Sequence, residues 1–89
     1  MNAATRELFR LELIKQLAVI GPVGAKTALL KVQARAAGFE PTDAEIDAEL
    51  AYLDDKGLVA IKDKAISPEL KRWRITAAGR DYAAQEGLA

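Results

Sequence analysis

The first stretch that could do chemistry is Gly24-Ala25-Lys26-Thr27, because a glycine-lysine-threonine run can cradle phosphate. Such a loop needs glycine immediately before the lysine and another five residues earlier. Here those places hold Ala25 and Ile20, and no parallel strand leads into the turn. The match fails. Asp54 and Asp55 are paired carboxylates, but neighbours on a helix diverge by about 100° and cannot face one substrate as general acid and base. Ser67 is the sole serine and precedes Pro68, while histidine and cysteine are absent. Without them there is no nucleophile-base pair and no zinc site. The expectation is a protein that is not an enzyme and that carries no metal and no cofactor.

Charge is what remains. Residues 58–75 hold five cations, Lys62, Lys64, Lys71, Arg72 and Arg74, against Asp63 and Glu69. Residues 41–57 hold six acids, Asp43, Glu45, Asp47, Glu49, Asp54 and Asp55, against Lys56 alone. Residues 1–40 carry six basic groups against three acidic ones. The totals cancel, 13 against 13, which argues mildly against a domain built mainly to hold nucleic acid. Taken singly, each cation is an ordinary solvated surface charge. Their gathering on one segment is what sets them apart.

The elements that position these charges follow from periodicity and punctuation. Pro41, Thr42 and Glu45 predict a blocked and capped helix start, Ile46, Leu50 and Leu53 recur at helical spacing, and Gly57 stands at the C-cap. Leu58 to Ile61 then reads as a strand. Upstream, a first helix is expected from about Thr5 to Ile20, with Phe9, Leu13, Leu17 and Ile20 in one stripe widened by Leu8, Leu11 and Ile14. A stripe that broad fits either a central helix covered on two sides or one whose second side meets a partner chain. Gly21 to Gly24 turns the chain, Val23 is expected to begin a short edge strand, and Lys26–Ala37 is helical, stopped at Gly38. Past a turn at Ser67-Pro68, residues 71–75 alternate so that Trp73 and Ile75 point inward and Arg72 and Arg74 outward. The two strands make a hairpin, and Thr76 caps a last helix over about Ala77 to Gln85, anchored by Tyr82.

This order, with the phrase Leu50-Ala51-Tyr52-Leu53-Asp54-Asp55-Lys56-Gly57-Leu58-Val59 and then Ile75-Thr76-Ala77-Ala78-Gly79, resembles winged helix-turn-helix domains over nearly the whole chain. Length and layout are also similar to small winged-helix proteins of Mu-like transposable phages and prophages. The resemblance implies a mainly α fold with a small β-hairpin: a three-helix core, a wing and a C-terminal helix. It implies DNA as partner, met by the third helix and the wing. Eighty-nine residues suffice for one domain over residues 1–89, and the absence of cysteine fits a reducing, cytoplasmic setting. One departure is visible. The third helix offers none of the Arg, Lys, Asn or Gln side chains that read bases until its last turn, and its acids oppose phosphate.

Two readings therefore stand. In the first, DNA is held by the wing (Lys62, Lys64, Lys71, Arg72, Arg74) and by the second helix (Lys26, Lys31, Arg35). In the second, the domain binds protein instead, through a small-residue face of Ala44, Ala48 and Ala51 with Tyr52 beside it, or pairs with a second copy through its first and last helices.

Overall fold

The computed structural model describes residues 1–63 and 71–88. Helix α1 (Ala3–Ile20) opens on Asn2, whose side chain accepts the Thr5 amide, so it starts two residues earlier than expected. A 3-10 turn (Gly21–Val23) follows, then strand β1 (Ala25–Lys26) and helix α2 (Thr27–Ala36). Val23 lies in that turn, not in the edge strand, which begins two residues later. The cause is Gly24, at φ 71°: a Cβ there would sit 2.6 Å from the Trp73 carbonyl oxygen, so only glycine lets the backbone approach its neighbouring strand at this point.

Helix α3 (Asp43–Asp55) has the expected capping box. Thr42 Oγ1 accepts the Glu45 amide, and the Glu45 carboxylate accepts the Thr42 amide. At its end the Leu58 amide returns to the Leu53 carbonyl and the Gly57 amide to that of Asp54, a Schellman closure with Gly57 left-handed at φ 75°. Strands β2 (Val59–Asp63) and β3 (Arg72–Ile75) and helix α4 (Ala77–Gln85) complete the chain. Thr76 starts α4 by accepting the Gly79 amide, and its hydroxyl also donates to the Gly57 carbonyl. One side chain thus ties the start of α4 to the end of α3.

The sheet has three strands, not the two of a simple hairpin, in the antiparallel order β1-β3-β2. Ala25 pairs with Trp73 and Lys26 with Arg72 on one edge; Val59 pairs with Ile75, Ala60 with Arg74 and Ile61 with Trp73 on the other. Lys62 is the extra residue of a bulge between Ile61 and Asp63. The expected Ser67-Pro68 turn and Lys64 lie outside the described residues.

The core joins Phe9, Leu13, Ile14 and Leu17 of α1 to side chains of every other helix and of β2 and β3. Each large apolar side chain so buried stabilises the fold by about 1.5–3 kcal/mol. The broad stripe of α1 divides: Ile14 is core, Leu11 is half-buried, and Leu8 stays exposed. In α2 only Leu30 and Ala34 are buried, leaving Leu29 and Val32 at the surface.

Candidate functional site

Side chains of a strand alternate between faces, so β3 sorts its own residues. Trp73 and Ile75 are buried against the helices, while Arg72 and Arg74 are half-buried on the opposite, outer face. Register adds Lys26, which stands opposite Arg72 across β1. The ammonium of Lys62 comes within 3.5 Å of the Val23 carbonyl, on the far side of β3 from its own strand. Lys26, Lys62, Arg72 and Arg74 therefore share the outer face of the sheet. Among the residues whose side chains are described none of the four enters a salt bridge, and register sets Asp63 opposite Arg72 on the β2 side. Sequence had placed Lys26 with the second helix; its partner in β3 transfers it to the sheet.

The other expected cations lie elsewhere. Lys31 binds Asp43 and holds that carboxyl below the usual range, first by hydrogen bonding and then by its charge. Lys71 lies over the inner-face Trp73, its ammonium 5.1 Å from the ring centroid. Arg35 is exposed in the last turn of α2, beside a hollow lined by Gly38 to Pro41, where its charge suits the helix C-terminus.

The six acids of α3, expected to oppose phosphate, divide into partnered and unpartnered groups. Glu49 is only 6% exposed and turns onto α1, where Arg10 Nε meets its Oε2 and Arg6 Nε lies 3.6 Å from its Oε1. Glu45 is held by the Thr42 amide and the Met1 ammonium, which drop its pKa to about 2. With Asp43 on Lys31, the α3 carboxylates in no salt bridge among the described residues are Asp47, Asp54 and Asp55. A wheel drawn from sequence cannot find this, because the partners come from helices whose packing it does not contain.

The alanine face is exposed as expected, but it is a ridge between separate hollows. Ala44 and Ala48 line one with Arg6 and Arg10, and Ala51 lines another with α2 and the wing. Tyr52 faces a third beside Leu8 and Leu11, its ring under the Arg10 guanidinium at 4.1 Å.

Neither the protein-family models nor the curated proteins contain a match to this chain. Among solved structures it is similar to the X-ray structure of a PadR-like transcription factor from Bacteroides fragilis. The TM-score is 0.76 at 12% identity, over 94% of this chain and 81% of that one. Together with the element order, this overlap establishes the winged-helix fold. No helix among the described residues is long and apolar enough to cross a membrane.

Proposed function

We propose that this chain is a DNA-binding, transcription-regulatory winged-helix protein, working without cofactor or catalysis in the cytoplasm. It grips the duplex backbone chiefly with its wing. The observation that carries the reading is the outer sheet face, where the four cations Lys26, Lys62, Arg72 and Arg74 stand together, outnumbering the one acid, Asp63, that register sets opposite Arg72. Lys64, by its place in sequence, extends the same set and Arg35 offers a separate contact from the end of α2, whereas Lys31 and Lys71 are engaged by Asp43 and Trp73. The structural neighbour is a transcription factor, which supports the same class of function. Likeness of length and layout to small Mu-like phage proteins supports a phage or prophage source. Leu8, 59% exposed beside Leu11 and the end of α4, supports pairing of two copies through α1 and α4.

The test is a salt titration of binding to random duplex DNA. Four phosphate contacts give log affinity against log salt a slope of about −3.6. Arg72→Ala/Arg74→Ala is expected to flatten that slope by about 1.8 and weaken binding on every sequence alike, with Lys31→Ala nearly silent. A flat salt dependence, or an Arg double variant that binds like the parent, would overturn the proposal.

A further inference from the structure

The inner side of the wing poses a separate question. A groove of about 910 Å3 runs between α2, α3 and the strands, with Trp73 in its lining and Val32 and Ile61 on its walls. Val32 is 61% exposed and Ile61 38% exposed. A β-branched side chain left bare on a helix lowers helix propensity and gains no packing in return. Trp73, the chain's single tryptophan, is 5% exposed, and its indole Nε1 finds no hydrogen-bond acceptor among the described residues. An indole N–H buried without a partner costs about 1–3 kcal/mol. The rim carries Asp47, Asp54 and Asp55, the three acids of α3 that are in no salt bridge among the described residues. Beside them stand the bridged Lys31–Asp43 pair and Lys71, so the lining stays net acidic. The DNA reading uses none of these features, and three carboxylates oppose phosphate.

Their chemistry selects an occupant. Apolar walls call for apolar side chains, and the rim calls for cations. The spacing selects its shape. Asp47 and Asp54 are seven residues apart on α3, about 10 Å along its axis, the rise of two helical turns. We propose that this groove docks an amphipathic helix of a partner protein. Its apolar side chains lie on the exposed Val32 and Ile61, beside Trp73 and the Lys71 side chain that covers it, and its Lys/Arg flank faces Asp47, Asp54 and Asp55. A second copy of this chain is a poor occupant. The helical cations Arg6, Arg10 and Lys31 are already engaged by Glu49 and Asp43, and the exposed Lys15 and Arg80 share their helices with Glu7 and Asp81. Arg35 belongs to α2, whose Val32 is itself a wall of the groove.

The probe is a fluorescein-labelled, 18-residue Leu/Lys amphipathic peptide, with a Leu/Glu peptide of the same pattern as control. Both are titrated onto the full chain by anisotropy and by emission of Trp73. Saturable one-to-one binding of the Leu/Lys peptide is expected, with a shift in Trp73 emission and no binding of the Leu/Glu peptide. Asp47→Asn/Asp54→Asn and, separately, Val32→Glu should each weaken it at least tenfold. Both variants alter exposed positions, so an unchanged circular dichroism spectrum accompanies the loss. Absence of peptide binding overturns the proposal, as does binding that leaves Trp73 emission unmoved or ignores both variants. Self-association of the parent that Val32→Glu abolishes would give the groove to a second copy, which equally overturns it. The DNA salt slope of Val32→Glu should match the parent, so the two faces fail or succeed independently.

Discussion

Glu45 gathers two hydrogen bonds that its charged form completes best, from the Thr42 amide and from the Met1 ammonium, each at 2.9 Å. The first is the larger cause of its depressed pKa of about 2, against an ordinary 4.5. A carboxyl whose folded pKa lies below its unfolded one stabilises fully above the unfolded value and loses that contribution as pH falls through the folded one. The window here runs from about pH 4.5 down to about 2. Glu45→Gln keeps a side-chain acceptor for the Thr42 amide and removes only the charge. Its thermal midpoint should therefore fall below the parent's at neutral pH, and the gap should close steadily between pH 5 and 2. A gap that stays constant across that range would show that the charge of Glu45 contributes nothing. Glu49, one turn further on, has its partners on α1, so it joins two helices where Glu45 caps one.

At the scale of elements, two glycines separate what local sequence determines from what packing determines. Gly57 has open space around it and φ 75°, so its requirement is purely conformational. Gly79 has ordinary helical geometry, but a Cβ there would lie 2.1 Å from the Leu58 carbonyl oxygen and 2.7 Å from Ile75 Cγ1. Gly57→Ala should cost about 1–2 kcal/mol, the price of a left-handed alanine. Gly79→Ala should cost about 3 kcal/mol, because α4 must withdraw from the start of β2. Urea unfolding measures both, and the reverse order would refute the close approach. The same division explains how much could be read beforehand. Capping boxes, the Gly57 closure and the alternation of β3 are local signals, and the helices they delimit were legible to within a few residues. The edge strand β1 was expected two residues early, at Val23, because two residues carry no period and their place is fixed only once β3 is there to pair with. The destination of Lys26 was lost with it. The partners of Glu49 were not legible for a related reason: helical spacing shows which way a side chain leaves its own axis, and not that α1 brings Arg6 and Arg10 to meet it.

Across the whole molecule, equal numbers of acids and bases conceal a partition by the sheet. Cations gather on its outer face, and the unbridged acids of α3 rim the groove on its inner face, with Trp73 and the strands between. Side chains on opposite faces of a sheet lie on the order of 10 Å apart. The Debye length at physiological salt is about 8 Å, so charges on one face are largely screened from a polyanion on the other. This separates two ways of meeting DNA. If α3 entered the major groove, Asp47, Asp54 and Asp55 would stand among phosphates, and neutralising them would raise affinity tenfold or more. If the duplex lies on the outer face, those acids are remote. Asp47→Asn/Asp54→Asn/Asp55→Asn is expected to change affinity for random duplex DNA by less than about twofold at 0.15 M salt, with the salt slope of the parent retained. A tenfold gain in that titration would place α3 against the DNA, end the outer-face geometry, and make the acidic rim a brake on binding, not a site for a second partner.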